Sequence, residues 1–250
     1  GQGNTKDIEV SYKQKEYRIK LAQNRFPYFD EQEMTDPMLV PTGVRHMGTD
    51  MFNTENADIY GEFLKAPITV PAVKFDFDAF VDAVANINVE STDNDPAVTA
   101  PMTFAFVHPI DVAEIRKNFK DELKYMESFA RTGYVGTAGG VNIYTKKDAK
   151  PGVIAVATKE AVTVFNKKGT EVEQQRDANI RKNEIFSRKF YIVALTDTTK
   201  AALLKKGKMT ASTDTTVTES KTYYAKTDSG YIVGKPETNP KTEGFYEFSA

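Results

Sequence analysis

Apolar and polar residues alternate on both sides of a short basic segment near the start of the chain. Strict alternation over several residues predicts two β-strands, each with one apolar face. The apolar positions of the two strands are Ile8, Val10, Tyr12, Tyr17, Ile19 and Leu21. A two-stranded hairpin is only marginally stable by itself in water. Because a projecting arm cannot fold back onto its own domain without a connecting bend, we expect a neighbouring molecule to cover its apolar face.

The loop between the two strands decides which residues face each other. A loop of two or four residues places both apolar rows on one face, whereas a loop of three places them on opposite faces. Two-residue loops usually contain glycine, which residues 13–16 lack, so a four-residue loop is predicted. The resulting pairs are Tyr12 with Tyr17, Val10 with Ile19, and Ile8 with Leu21. Lys13 and Lys15 give this hairpin a basic tip.

A long helix is predicted over about residues 42–66, after an acidic stretch at residues 30–36. Apolar residues recur along it at helical spacing, and Pro67 ends it. At 1.5 Å per residue such a helix would span roughly 36 Å. A shorter helix is predicted to begin at Pro109, because proline is favoured at the first helical position.

Another helix is predicted to begin after Asp76, whose side chain can accept hydrogen bonds from the first turn. Its apolar spacing predicts one buried face and one exposed acidic face. The predicted buried residues are Phe80, Val81, Val84 and Ile87, and the predicted exposed residues are Asp78 and Asp82.

Short apolar runs predict strands in much of the remaining chain. These strands are placed at residues 102–107, 141–145, 152–157, 171–175 and 184–195. The glycine-rich residues 133–140 are predicted to form a turn, and Asp197 is predicted to cap a short helix that ends at Gly207. Threonine becomes frequent from residue 208 onward, and residues 208–250 are interpreted as a β-rich C-terminal extension. Its strands are placed at residues 221–226, 230–234 and 243–248.

Residue types that carry catalysis or bind metals are scarce. The chain has no cysteine and two histidines, His46 and His108, which lie on separate predicted elements. A zinc site would therefore need carboxylate ligands from elsewhere. Residues 133–140 lack the Lys-Ser or Lys-Thr pair of a Walker loop, and they precede a strand, whereas phosphate loops open a helix. We therefore predict neither enzymatic activity nor a cofactor.

Neither the net charge of the chain nor the length of its apolar runs indicates a particular class of partner. The net charge is −2, which favours neither nucleic acid nor an anionic membrane. No apolar run approaches the ~20 residues that span a bilayer, so no membrane association is expected. Because the chain begins with Gly1, we expect upstream residues to have been removed, either by processing or during production.

The order of these predicted elements resembles the major capsid protein family of tailed bacteriophages, whose fold encapsulins share. Residues 104–109, FAFVHP, resemble the strand and proline-initiated helix of the family's axial domain. Residues 133–136, GYVG, and 139–144, GGVNIY, resemble the segment that re-enters the sheet of that domain. EQQRDAN at 173–179 and RKFYIVAL at 188–195 resemble the return into the peripheral domain. The resemblance extends over about residues 5–207, and the N-terminal arm expected before the hairpin is absent.

The resemblance implies an α+β fold with the architecture of a tailed-phage major capsid protein. Five segments follow from it: an extended hairpin loop at 1–37, a peripheral domain with a spine helix at 38–75, an axial domain at 76–164, a return to the peripheral domain at 165–207, and the C-terminal β-rich extension at 208–250. The last segment lies outside the shared core.

The function implied by the resemblance is structural. It is a head protein that self-assembles, through pentamers and hexamers, into the icosahedral shell enclosing phage DNA. The implied partners are further copies of the chain, double-stranded DNA contacted non-specifically on the inner face, and scaffolding, portal and decoration proteins. The implied location is the virion, after assembly in the host bacterial cytoplasm. An encapsulin-like nanocompartment and a β-rich phage or cell-surface binding protein are the alternatives.

The hairpin is predicted to make the contacts between subunits. Its contact residues are Ile8, Val10, Tyr12, Lys13, Lys15, Tyr17, Ile19 and Leu21. We expect its apolar face to lie across a neighbouring subunit, and its lysines to approach acidic residues there, with residues 30–36 as one candidate. Exposed ion pairs contribute only about 0–1 kcal/mol each, so the apolar face should dominate the contact.

Overall fold

The computed structural model describes residues 15–90, 102–118, 134–227 and 230–249. The helices in these ranges are α1 (Asp30–Thr35), α2 (Leu39–Phe63), α3 (Phe77–Glu90) and α4 (Pro109–Asn118). The strands are β1 (Lys20–Phe29), β2 (Ile68–Ala72), β3 (Thr103–Val107), β4 (Tyr134–Ala138), β5 (Val141–Thr145), β6 (Val153–Thr158), β7 (Val162–Asp177), β8 (Lys182–Leu195), β9 (Ala201–Lys206), β10 (Lys208–Ala211), β11 (Tyr223–Thr227), β12 (Gly230–Gly234) and β13 (Tyr246–Ser249).

The strands form two sheets. The smaller sheet has the order β1-β8-β7 and is antiparallel throughout. The larger sheet has ten strands in the order β10-β13-β11-β12-β2-β9-β6-β3-β5-β4. Within it β2 runs parallel to β9, and β3 runs parallel to β5. The larger sheet therefore collects strands from residue 68 to residue 249.

Helix α2 confirms the predicted long helix, although it begins and ends about three residues earlier than predicted. Starting at Leu39 places Pro41 in the first turn, where the missing amide hydrogen costs no helical bond. At the other end, the Lys65 and Ala66 amides donate to the carbonyls three residues before them, at 3.1 Å each. These tighter bonds close the last turn before Pro67.

Helix α3 packs on the larger sheet, and Asp76 caps it as predicted: its Oδ1 accepts the Ala79 amide at 3.0 Å. Phe80 and Ile87 are buried, as predicted, and Val84 is partly buried. Asp78 and Asp82 are exposed, also as predicted.

The prediction that Val81 is buried is wrong, because 40% of this residue remains exposed. The buried stripe of α3 runs through the small residues Ala79 and Ala83, which let the helix approach the sheet closely. Val81 lies about 100° around the helix from Phe80, and it packs at the edge of the stripe beside Gly139.

Most of the predicted glycine-rich turn is in fact a strand. Residues 134–138 form β4, and only Gly139 and Gly140 form the turn that leads into β5. Both glycines have positive φ, at 57° and 82°, as a two-residue turn between twisted antiparallel strands requires.

The prediction of a short helix between Asp197 and Gly207 is also wrong. Asp197 does act as a cap, since its Oδ1 accepts the Thr199 amide at 2.9 Å, but the turn it caps ends at Lys200. The next four residues, 201–204, are all buried, because β9 lies between β2 and β6 in the larger sheet. A continuous apolar run is typical of such a central strand.

The C-terminal segment is β-rich, as predicted, and it continues the larger sheet. The predicted hairpin is present as β11 and β12, and β13 is the predicted last strand. β12 pairs with β2 through Ile232 and Ile68. Residues 68–72 and 201–206, both predicted to belong to the peripheral domain, pair with each other, and residues 201–206 also pair with β6 of the predicted axial domain. The domain boundaries as a whole stay a prediction.

The N-terminal hairpin is described only in part. Residues 1–14, including its first predicted strand, lie outside the described residues. Residues 15–19 carry no regular structure, so the second strand begins at Lys20 and not at Tyr17. It continues to Phe29 and pairs with β8, which the sequence did not predict. Pairing of Leu21 with Ile8 would use the opposite edge of β1 and stays a prediction.

Truncation of Phe80 is expected to cost about 3–5 kcal/mol of unfolding free energy, as for other buried aromatic residues. The side chain is fully buried in the core of the larger sheet. Val81→Ala is the matched control from the same helix, and it should cost less than about 1 kcal/mol, because Val81 is exposed. Urea denaturation of both variants measures the difference. A cost below about 1 kcal/mol for Phe80→Ala would contradict the assigned face of α3.

Candidate assembly surface

The smaller sheet has two unlike faces, and α2 covers one of them. Alternate residues of β8 point toward the helix, and Ile185, Tyr191 and Val193 are buried there. The Tyr191 hydroxyl donates to Asp58 of α2 at 2.7 Å. Burial and the Asp58 carboxylate raise the pKa of Tyr191, so the phenol stays protonated and remains a donor.

Ion pairs reinforce this contact between α2 and the sheet. Lys20 of β1 lies 2.5 Å from the Asp58 carboxylate, and Lys189 of β8 lies 2.7 Å from the Glu55 carboxylate. The Asn24 side-chain amide donates to the Met47 carbonyl of α2 at 2.9 Å. Helix and sheet are therefore held in one relative position by both polar and apolar contacts.

The opposite face of the smaller sheet carries an apolar patch. Leu21 pairs with Phe190, and Phe165 pairs with Ile192 two residues further along β8. The apolar patch consists of Ile19, Leu21, Phe165, Phe190 and Ile192. Ile19, Leu21 and Phe165 are 44%, 46% and 51% exposed, and the other two are half-buried. A contiguous exposed apolar patch is typical of a surface that binds another molecule.

The remainder of this outer face carries several charged residues that are paired within the subunit. Arg188 forms ion pairs with Glu171 and Glu173, which lie across the strands on β7. Glu184 lies between Arg25 and Lys182. Hydrogen bonds from Lys168 and Arg188 hold the pKa of Glu171 below its ordinary value. The apolar patch is therefore the part of this face where apolar side chains of the described residues remain exposed to solvent.

Four of the eight predicted contact residues fall within the described range. Ile19 and Leu21 belong to the apolar patch. Tyr17 instead turns toward the body of the subunit, where its hydroxyl donates to the Leu195 carbonyl at 3.4 Å. Lys15 lies over the Tyr17 ring, 5.7 Å from its centroid. The predicted residues 8, 10, 12 and 13 lie outside the described residues.

Sequence reasoning missed the three members of the patch on β7 and β8. Their signal is present in β8, where Phe190 and Ile192 alternate with the buried Tyr191 and Val193. This run predicts a strand buried on both faces, but the structure provides a cover for only one of them. The sequence did not place Phe165 in a strand, because the strand predicted in that region began only at residue 171, whereas β7 begins at Val162.

Helix α1 forms the acidic end of the smaller sheet. Asp30 accepts hydrogen bonds from Arg176 at 2.8 Å and from Asn183 at 2.5 Å, and its amide donates to the Arg181 carbonyl. These bonds attach the start of α1 to the β7–β8 turn. The rest of α1 is exposed, including Glu33 and the apolar Met34.

The two histidines lie apart. His46 is exposed on α2, and the Nδ1 of His108 accepts the Ile110 amide at 3.2 Å, at the start of α4. In the described part of the chain, no group of three or more histidine, aspartate or glutamate residues is arranged to hold a metal ion. None of the described helices is both long and apolar enough to cross a membrane.

The amino-acid sequence matches one curated relative, the major capsid protein of Staphylococcus phage phiMR11. The two are 27% identical over 168 residues, which make up 66% of this chain. The chain spans 58% of the length of that relative. No protein-family model matches the chain.

Solved structures show the same fold. The capsid structure of cyanophage P-SCSP1u matches with a TM-score of 0.54 at 11% identity, covering 82% of this chain and 80% of that one. The holo-SrpI encapsulin complex from Synechococcus elongatus matches with a TM-score of 0.59 at 11% identity, covering 77% and 75%. The chain therefore has the α+β major capsid fold of phage shells and encapsulins, and the predicted resemblance is confirmed.

The attachment of α1 should weaken in acid. The Arg176 hydrogen bond holds the pKa of Asp30 below its ordinary value. Because the folded pKa is depressed, the stabilisation is fully present above the ordinary value of about 4 and is lost as the pH falls through the lowered value. Hydrogen-exchange protection of the α1 amides should fall over that range.

Two variants check the origin of this pH dependence. Asp30→Asn should lower the protection of α1 already at neutral pH and remove its acid dependence. Glu33→Gln is the matched control, because Glu33 forms no ion pair within the described residues, and it should behave as the unchanged protein does. Equal protection of Asp30→Asn and the unchanged chain at pH 7 would contradict the role given to Asp30.

Proposed function

We propose that this chain is a major capsid subunit that assembles into the icosahedral shell around phage DNA. The observation that carries the proposal is the sequence match to a phage protein named major capsid protein, on a chain with the corresponding fold. Shell subunits must present surfaces that other copies cover. The apolar patch and the exposed α1 end supply such surfaces at two places on the smaller sheet.

The N-terminal hairpin is proposed to act as an arm that lies across a neighbouring subunit. The exposure of Ile19 and Leu21 supports this, since both remain uncovered at the point where the arm joins β1. Removing apolar area from water stabilises a contact by about 25 cal/mol per Å². Contacts of this heterologous kind close into rings when the rotation between copies permits it. Many weak contacts per subunit can then make a firm shell.

The remaining partners follow from the same proposal. Packaged double-stranded DNA would meet the inner face without sequence specificity, and scaffolding, portal and decoration proteins would contact the shell. Assembly would take place in the host bacterial cytoplasm, and the mature location would be the virion. The role is structural, with neither catalysis nor a cofactor. A net charge of −2 is compatible with this, because only one face of a shell meets DNA.

An encapsulin-like compartment is the second candidate, because the encapsulin complex from Synechococcus elongatus has the same fold at a TM-score of 0.59. The sequence match to a phage protein favours the phage capsid. Packaged DNA or a portal at one vertex would support the phage capsid, whereas an enclosed cargo enzyme would support the compartment.

A separate C-terminal binding module is less well supported. Strand β12 pairs directly with β2, so the C-terminal strands share a sheet with the main body. Lys205 of β9 further donates to the Tyr224 hydroxyl at 3.0 Å. A module that binds polysaccharide independently would be expected to have a core of its own.

The full-length chain is expected to form pentamers, hexamers or shells in some solution condition. Analytical ultracentrifugation and electron microscopy across salt, pH and added scaffolding protein measure this. A chain that remains monomeric in every condition would contradict the proposed function.

Replacing Val10 and Ile19 together with serine should leave the subunit folded but prevent shell formation, because the apolar face of the arm would be lost. The control replaces two exposed valines elsewhere, Val73 and Val89, with serine. Thermal melts report folding, and particle counts report assembly. Normal shells from the Val10/Ile19 variant, or its unfolding as a monomer, would mean that the arm packs on its own subunit.

Lys13→Glu with Lys15→Glu should shift only the salt dependence of assembly.

A further inference from the structure

The apolar patch and the exposed α1 end, at two places on the smaller sheet, have complementary chemistry. Ile19, Leu21 and Phe190 line a pocket whose rim carries Lys167 and Lys168. Within the described residues, Lys167 forms no ion pair and Lys168 forms one, with Glu171. The pocket is therefore an apolar floor with a basic rim, and it suits a partner that presents an apolar side chain beside acidic ones.

The α1 end of the same chain presents that combination. Met34 is 83% exposed and Met38 is 64% exposed, so both side chains are free to contact a partner. Glu33 is exposed beside them, and Glu31 is only loosely paired, 3.7 Å from Arg181. A groove lined by Glu31, Asp36 and Leu39 adjoins them. Methionine adapts readily to a partner surface, because its side chain is flexible and polarisable.

These two surfaces cannot meet within one subunit. Phe190 beside the pocket pairs with Leu21 near the start of β1, whereas Phe29 beside α1 pairs with Lys182. The partners on β8, Phe190 and Lys182, are eight positions apart, which separates the surfaces by roughly 25 Å at about 3.3 Å per residue. A second copy of the chain can supply the missing partner, and it then presents its own pocket to a third copy.

We propose that the pocket of one copy receives the α1 end of the next, with Met34 against the apolar floor and Glu33 facing Lys167. This inference rests on the proposed function and identifies one contact through which the shell is built. The contact is heterologous, so repetition produces a ring or an open chain of copies. It also gives residues 30–36 a basic partner that is distinct from the lysines of the arm.

Disulfide trapping tests the pairing directly, because the natural chain contains no cysteine. Glu33→Cys combined with Lys167→Cys should give, on mild oxidation of assembled full-length protein, a ladder of covalent oligomers on a non-reducing gel. An intrachain bond is excluded, since cysteine Cα atoms must lie within about 7 Å. The matched control combines Glu33→Cys with Lys147→Cys, an exposed lysine in the β5–β6 turn, and should give no ladder.

Charge reversal provides a second measurement. Lys167→Glu or Glu33→Lys alone should raise the critical concentration for assembly by about two- to fivefold, and the two together should restore it. Lys147→Glu should leave the critical concentration unchanged.

Met34→Ser should also raise the critical concentration for assembly, whereas Met102→Ser, at another exposed methionine, should not. Circular dichroism melts confirm that each variant is folded.

Each outcome decides the inference. If wild-type shells form but the Glu33/Lys167 cysteine pair gives no ladder, or if the double charge reversal fails to restore assembly, the pairing is wrong and the proposed function stands. A ladder from Val10→Cys with Lys167→Cys in place of the expected one would assign the pocket to the arm and overturn the pairing. Absence of wild-type assembly would overturn both.

Discussion

Helix α2 packs against both sheets, and it does so with different side chains at its two ends. Near its start, Met47 packs with Tyr28 and Ile185 of the smaller sheet. Near its end, Phe63 meets Phe104 and Phe106 of the larger sheet, with ring centroids 5.7 and 5.8 Å apart. Each buried side chain of this size contributes roughly 1.5–3 kcal/mol, so α2 both stabilises the sheets and fixes their relative position. Gly43 lets β1 approach, since a Cβ there would lie 2.5 Å from the Phe26 ring.

This arrangement explains why part of one face of the smaller sheet stays exposed in the subunit. A three-stranded sheet has two faces, and among the described residues a single helix, α2, covers one of them. Several charged residues on the other face are paired with one another, as Arg188 is with Glu171 and Glu173, so those residues contribute little net attraction to a partner. In the proposed assembly the apolar patch would be the dominant source of binding free energy on that face, and the charges at its edge would select the partner.

The sequence predicted those elements whose signals are local. The Asp76 cap and the periodic apolar residues were sufficient for α3, and the turn residues between β11 and β12 were sufficient for that hairpin. The prediction failed where neighbours in space decide the structure. Residues 201–204, Ala-Ala-Leu-Leu, have good helix propensity, yet they form a strand because β2 and β6 offer hydrogen-bond partners on both sides. Phe165 is exposed and Phe190 is half-buried because no second helix among the described residues covers this face of the sheet, and no local sequence pattern encodes that.

A head-to-tail contact along the smaller sheet would also have a consequence for the shape of an assembly. The pocket and α1 are both attached to β8, one near Phe190 and the other near Lys182. The strand is paired on both edges, to β1 and β7, and α2 holds its inner face. The angle between the two binding surfaces is therefore set by the twist of this sheet, which is a property of the folded subunit. A small change in that twist alters the rotation between successive copies, and through it the number of copies that close a ring. Rings of five and of six from one sequence would then require only a slight adjustment of one sheet, with the same side chains in contact in both.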